Sequence, residues 1–322
     1  MNRRLRAADG EVDIGNADEP VPGCGSTSNE EHDVTNTIER VGVVGCGLMG
    51  SGIAEVCARA GLDVVVREVD AAASESGRKR ILGSLDRGLG SGKLTEDERD
   101  AAVARLAFTT DLGELSDRQL VVEAIAEDEA LKTEVFSTLD RVVEDGDAIL
   151  ASNTSSIPIM KLGISTRRPE HVVGIHFFNP VPVLRLVELV TSLMTSPETA
   201  TRAETFATDV LQKRVIRSTD RAGFVVNALL IPYLLSAIRM LESGFATAQD
   251  IDTGMVEGCS HPMGPLRLTD LIGLDTTLAV ADSLYQEFKE PLYAPPPLLS
   301  RMVEAGLLGR KTNRGFYEYQ PR

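Results

Sequence analysis

Apolar order along this chain begins abruptly at Ile38. The run Ile38–Val44 is β-branched and short enough for a buried parallel strand. Ser51–Ala60 reads as a helix closed by Gly61, and Asp63–Arg67 as a second strand. Helical spacing continues over Ala71–Asp86 and over Thr95–Leu106, where Thr95 and Glu98 form a capping-box pattern. Phe108–Thr110 is a short strand and Leu120–Ile125 a clearer one. Leu131, Val135, Leu139 and Val142 lie on one face of a helix over Leu131–Val143, and Ala148–Ser152 is the next strand. The stretch His171–Val190 holds two further apolar strands. Beyond it, Asn227–Glu242, Thr247–Met255 and Thr269–Phe288 read as apolar helices, with Pro232 expected to kink the first or to sit near its first turn. Gly306–Tyr319 closes the chain as a loop with a short extended piece.

Strands alternate with helices first, and helices alone follow. The pattern predicts an α/β fold, a Rossmann-type doubly wound mostly parallel sheet followed by an all-helical C-terminal domain. Residues 39–220 are expected to form the dinucleotide-binding domain, and residues 221–322 the helical domain. The latter would supply one wall of a substrate cleft and a dimer surface. Residues 1–38 differ in kind. Gly, Ser, Asn, Asp, Glu and Pro dominate them without periodicity, and a disordered tail is expected. Their basic opening, Asn2–Arg6, has no apolar segment behind it, which argues against export.

Charge narrows the function. The 322 residues carry a net −15, of which −5 falls in residues 1–40. Phosphate backbones need clustered cations, so nucleic-acid binding is disfavoured. No run of about 18 apolar residues exists, so no membrane span is expected. The four cysteines (Cys24, Cys46, Cys57, Cys259) form no CxxC pair and no metal-ligand spacing. They read as reduced thiols of a cytoplasmic protein.

The first chemical signal is Gly45-Cys46-Gly47-Leu48-Met49-Gly50, set between the first strand and the first helix. Gly45 permits the tight turn, Gly47 lets backbone approach a pyrophosphate, and Gly50 lets helix pack on strand. The helix N-terminus then offers free N–H groups to the phosphates. Glu68, 23 residues after Gly45, ends the second strand and suits an adenosine ribose diol. A carboxylate there repels a 2′-phosphate, so NAD is favoured over NADP; Arg67 beside it is the group that could accept such a phosphate.

The second signal is His176 at the end of one apolar strand and Glu188 in the middle of the next. A carboxylate among Leu186, Val187, Leu189 and Val190 needs a partner, and His176 and Arg185 are the candidates. With His176 it would form a dyad able to take a proton from an alcohol while hydride leaves to a nicotinamide. With Arg185 it would be a structural bridge, and His176 a satisfied core histidine. Asn153-Thr154-Ser155-Ser156 follows a strand's carboxyl end, where ligands of such sheets sit.

From Val41 to about Tyr319 the chain resembles the L-3-hydroxyacyl-CoA dehydrogenase family. The carriers are the glycine turn, Val121–Ala124, Ser152–Ser156, His176–Pro182, Leu186–Glu188, Gly223–Asn227, Pro262–Pro265, Gly273–Asp275 and Gly309–Thr312 with Gly315–Tyr317. The resemblance implies an NAD-dependent dehydrogenase of short L-3-hydroxyacyl-CoA substrates. It implies His176 as general base, Glu188 as its orienting partner, Ser155 on the C3 oxygen and Asn227 holding substrate. Asn179 would position His176 or the thioester, and Glu127 and Lys132 match positions that contact NAD. It also implies a homodimer formed through the C-terminal domain. One segment departs from the family: between Arg87 and Lys93, where the family often carries several lysines for the CoA phosphates, those two are the only cations. Two other readings of the residues are a dehydrogenase of a free hydroxy acid or sugar acid, and a non-catalytic dinucleotide-binding protein.

Overall fold

The computed structural model describes residues 37–320. The expectation for residues 1–38 falls almost wholly outside them. Eight strands form one sheet: β1 (Arg40–Val44), β2 (Asp63–Arg67), β3 (Leu106–Thr109), β4 (Leu120–Glu123), β5 (Ile149–Ser152), β6 (Val172–Phe177), β7 (Leu186–Thr191) and β8 (Arg214–Thr219). Their order is β3-β2-β1-β4-β5-β6-β7-β8. All pairings are parallel except β6 with β7. The strand order reverses at β1, between β2 and β4, so the crevice at their carboxyl ends is where a ligand belongs.

Helices cover both faces: α1 (Leu48–Arg59), α2 (Ala71–Gly90), α3 (Glu96–Ala104), α4 (Glu129–Val142), α5 (Ile159–Gly163) and α6 (Pro197–Thr205). Thr95 caps α3 in a full capping box with Glu98, and Asp128 caps α4 through the Leu131 N–H. Both cores are built from the inward strand residues. Val41, Val43 and Ile175 face α1, whereas Val44, Val121 and Leu150 face α4. The helical half follows: α7 (Val226–Glu242), α8 (Ala248–Cys259), α9 (Pro265–Ile272), α10 (Leu274–Phe288) and α11 (Pro297–Glu304), with its own core around Leu235, Leu266, Leu274 and Leu284. No helix among the described residues is long and apolar enough to cross a membrane.

Four details differ from the sequence pattern. The helix expected over Thr269–Phe288 is two helices, because Gly273 sits at φ +107 between them. Helix α7 runs through Pro232, its seventh residue, whose side chain is buried. The inner face of α4 is Lys132, Phe136, Leu139 and Asp140, one position off the expected stripe, and Leu131 is 49% exposed. Strand β8, with exposed Arg214 and Arg217, extends the sheet beyond β7 and has no counterpart among the expected strands.

Candidate active site

The glycine turn shows why each glycine is there. Gly45 holds φ +91, and a Cβ on it would meet the Ala124 carbonyl oxygen at 2.8 Å. A Cβ on Gly50 would lie 1.8 Å from the Gly45 carbonyl oxygen. A Cβ on Gly47 would meet nothing within 4 Å, so the space above the turn is open. Gly47 caps α1 without a side-chain bond, and the first turn of α1 holds no acid. Its free N–H groups and the positive end of its dipole therefore face that space. Gly50→Ala is expected to cost about 3 kcal/mol, the upper end for overpacking, and to abolish NADH binding. Gly47→Ala is expected to melt with the wild type and only weaken NADH. Thermal melts with a fluorescence titration of NADH check both, and a Gly50→Ala protein with wild-type melting would contradict the turn geometry.

Glu68 folds back on this turn. Its Oε1 accepts from the Cys46 N–H at 2.5 Å and its Oε2 from the Val69 N–H at 2.9 Å. Burial, with help from the Glu68 charge, pushes the Cys46 thiol up to about 12, so this cysteine is inert. Arg67 Nε donates to the Thr110 carbonyl at 3.3 Å and Arg80 Nη1 to the Cys46 carbonyl at 2.7 Å, so both guanidinium groups beside the turn are tied to backbone.

A cavity of about 740 Å³ opens here, lined by Gly47, Leu48, Glu68, Leu131 and Thr138 among others. A second, of about 340 Å³, is lined by Glu127, Lys132, Asn153, Ser155, Asp275 and Val280. Met49, Ala124 and Ile125 line both, so the two form one crevice along the carboxyl ends of β1 and β4. An elongated dinucleotide fits a crevice of this shape, which has Gly47 and Glu68 at one end and Asn153 and Ser155 at the other. Leu131, lining the first cavity, explains the exposure of an apolar side chain at the start of α4.

At the far end the antiparallel register sets His176 opposite Glu188. His176 Nδ1 lies 2.7 Å from Glu188 Oε2, and His176 Nε2 lies 3.0 Å from Ser155 Oγ. Glu188 is fully buried and His176 is 4% exposed. The other carboxylate oxygen, Oε1, accepts the backbone N–H groups of Val225 at 3.0 Å and Val226 at 2.8 Å. These belong to the entry of α7, so the helical half completes a site that begins in the sheet. Because the Glu188 carboxylate only accepts, Nδ1 is the donor, and in the neutral imidazole Nε2 carries the lone pair. Arg185, the other partner considered for Glu188, is exposed on the loop before β7.

A second buried network shapes the wall. Lys132, 1% exposed, places its Nζ 2.6 Å from Glu123 Oε1 and 3.2 Å from Glu127 Oε2. Glu123 also accepts from Ser152 Oγ at 2.7 Å and from the Ile125 N–H at 2.7 Å. Glu127 Oε1 in turn accepts from the Ser155 N–H at 3.1 Å, Ser156 Oγ at 2.9 Å and Thr154 Oγ1 at 2.5 Å. Partial burial works to raise the Glu127 carboxyl, but Lys132 and the hydroxyls of Thr154 and Ser156 outweigh it and hold it below its ordinary value. The chain Glu123–Lys132–Glu127 thus fixes the turn carrying Ser155. Asn153 Oδ1 accepts from the Phe177 N–H at 2.9 Å, which ties that turn to β6.

Not every candidate residue converges. Asn227 lies in the first turn of α7, next to the N–H groups on Glu188, half-buried and with no side-chain hydrogen bond among the described residues. Asn179 is exposed and makes no side-chain hydrogen bond among the described residues. The ring of Phe178 packs against the imidazole of His176, with centroids 4.7 Å apart. The candidates from the sequence omit Glu123, the two N–H groups of α7, and the wall from α10. On that wall Lys311 Nζ donates to Asp275 Oδ1 at 2.7 Å and Thr276 Oγ1 at 3.1 Å. Gly273–Asp275 and Gly309–Thr312 carry the resemblance, and their sequence signal was available without a role.

Residues 40–221 match the family model of the 3-hydroxyacyl-CoA dehydrogenase NAD binding domain, and residues 223–319 that of its C-terminal domain. The chain belongs to the 3-hydroxyacyl-CoA dehydrogenase family. A 3-hydroxybutyryl-CoA dehydrogenase of Mycobacterium tuberculosis is 63% identical over 286 residues, 89% of this chain and 100% of the relative. The crystal structure of M. tuberculosis FadB2 is 64% identical, with a TM-score of 0.88 over 88% of this chain and 100% of that one. That of the (S)-3-hydroxybutyryl-CoA dehydrogenase PaaH1 from Ralstonia eutropha is 45% identical, with a TM-score of 0.84 over 88% and 100%. The 3-hydroxyacyl-CoA dehydrogenase fold thus accounts for the crevice, and its NAD binding domain for the glycine turn and Glu68.

Proposed function

We propose that the protein oxidises short-chain L-3-hydroxyacyl-CoA to 3-oxoacyl-CoA with NAD and catalyses the reverse reduction of acetoacetyl-CoA. One observation carries this reading: an imidazole bonded through Nδ1 to a fully buried carboxylate turns Nε2 towards Ser155 beside the far end of the crevice. The names of the curated relatives support the acyl-CoA branch over a free hydroxy acid.

A substrate hydroxyl set between Ser155 Oγ and His176 Nε2 reaches both a donor and a base. Nε2 takes the hydroxyl proton, and Glu188 stabilises the imidazolium that forms. NAD, when bound, supplies the acceptor for the hydride leaving C3. In reverse, the imidazolium returns its proton to the substrate oxygen, which Ser155 holds. Asn227 stands at the α7 side of the same cleft to hold the substrate. Lys132 acts on the cofactor through Glu127, which it fixes. Glu68 selects NAD over NADP by repelling a 2′-phosphate. Exposed Leu229, Met240 and Phe245 on the helical half support a homodimer formed there.

The test is the loss of NADH absorbance with acetoacetyl-CoA, run beside NADPH and beside free acetoacetate. Turnover with NADH and the CoA thioester is expected. Faster turnover of acetoacetate would move the enzyme to the free hydroxy-acid branch.

A further inference from the structure

One residue in an unfavourable backbone conformation touches the dyad. The linker between β8 and α7 turns at Gly223 and Phe224, which hold φ +73 and φ +50 in succession. Glycine adopts this left-handed region freely, but a bulky side chain does so at a cost and persists there only where its surroundings demand it. Those surroundings are specific. Asp220, ahead of the turn, accepts from the Ile159 N–H at 2.8 Å and the Met160 N–H at 2.7 Å, which fixes the linker to α5. Glu287 of α10 accepts from Arg221 Nε at 2.5 Å and from the Ala222 N–H at 2.8 Å. The Phe224 N–H then closes the turn on the Arg221 carbonyl at 3.0 Å.

The side chain, not the turn, accounts for phenylalanine at this place, since a glycine would make the same turn without strain. The Phe224 ring is 7% exposed and joins the core of the sheet half that holds Ile159 and Val190, whereas Ala222, two residues earlier, belongs to the core of the helical half. There the ring meets the His176 imidazole, with centroids 5.5 Å apart and planes at 63°. Phe178 is the imidazole's other aromatic neighbour, at 4.7 Å and 61°.

The bonds to Glu188 and Ser155 hold the imidazole at its two nitrogens and leave its tilt to packing. Phe178 and Phe224 supply that packing. The backbone of Phe224 acts on the other member of the dyad. Its turn directs the next two N–H groups, of Val225 and Val226, to Glu188 Oε1 at 3.0 and 2.8 Å. One residue thus bears on the base through its ring and on the carboxylate through its backbone. We propose that Phe224 is a positioning residue of the dehydrogenase reaction, holding His176 at the tilt in which Nε2 meets the substrate hydroxyl. This assignment rests on the dehydrogenase reading above. Its worth is large, because a misplacement of about 1 Å at a reacting centre costs about 10²-fold in rate.

The test compares Phe224→Leu, which keeps apolar bulk in that core, with the wild type at a temperature below both melting points. The kcat for acetoacetyl-CoA reduction is expected to fall about 10²-fold. The acetoacetyl-CoA KM and the NADH Kd are expected to stay within about threefold, the mark of an interaction used in the transition state alone. The NMR signal of the His176 Cε1–H, assigned by its loss in His176→Gln, is expected to broaden as the imidazole samples more than one tilt. Phe224→Gly, which suits the positive φ, guards against a leucine variant that does not fold, and the same loss is expected of it. A kcat within about threefold of the wild type in either folded variant overturns the assignment. So does a rise in KM with kcat unchanged, since the ring would then serve substrate binding. Failure of the dehydrogenase reading is separate: the wild type would leave acetoacetyl-CoA unreduced, and the His176 signal would still decide whether the Phe224 ring holds the imidazole.

Discussion

His176→Gln is expected to bind NADH as the wild type does and to lose about 10²–10⁴-fold in kcat, the range a positioned general base contributes. Glutamine can hydrogen-bond but cannot take the hydroxyl proton at neutral pH. Its side chain leaves the glycine turn and Glu68 untouched, since these lie at the other end of the crevice. The substitution is also tolerable in the fold. His176 ends β6, where the backbone pairs with β7, and its ring is flanked by Phe178 at 4.7 Å and Phe224 at 5.5 Å. The substitution takes the Nδ1 donor from the buried Glu188 Oε2 but leaves Oε1 its two backbone N–H groups, so a lower Tm is expected beside a protein that still folds. Stopped-flow turnover with acetoacetyl-CoA, beside NADH fluorescence titration, measures both parts. A kcat within tenfold of the wild type would remove Nε2 from the proton transfer.

The parts of this site that were legible in the sequence are those fixed by local spacing. A turn of three glycines between a strand and a helix has one conformational solution, and the acid ending the next strand lies beside it. The capping box at Thr95 is equally local. Residue types marked His176 and Glu188, but their pairing depends on a register between antiparallel strands. Arg185 stood as a rival until the structure turned it to solvent. Backbone donors have no letter of their own, so Val225 and Val226 could not be read as partners of Glu188. Lys132 misled in a different way. Lysine scores as a surface residue, and only the two carboxylates that meet it inside make its burial tolerable. That shifted the inner face of α4 by one position. Gly273 was visible, but its positive φ becomes decisive only once α9 and α10 both pack against α7. Strand β8 reads Arg214-Val215-Ile216-Arg217-Ser218-Thr219 at a sheet edge, a stretch too polar and without the alternation that would make it stand out.

Glu188→Gln separates orientation of the base from its chemistry. The amide carbonyl can still accept from Val225 and Val226, so the entry of α7 keeps its bonds and the protein is expected to fold. The amide nitrogen then faces His176 Nδ1 and donates to it. Nδ1 must become the acceptor, which moves the proton to Nε2 and removes the lone pair that the substrate hydroxyl requires. A loss of about 10²–10⁴-fold in kcat is expected, as for the loss of the base itself. Glu188→Ala differs in kind. It leaves two backbone N–H groups and Nδ1 buried without an acceptor, at roughly 1–3 kcal/mol each, and a large fall in Tm is expected beside the loss of activity. Melting curves and kcat for the two variants therefore give different signatures. If Glu188→Gln kept wild-type turnover, the carboxylate would be a structural anchor for α7, and the tautomer of His176 would be set by Ser155 alone.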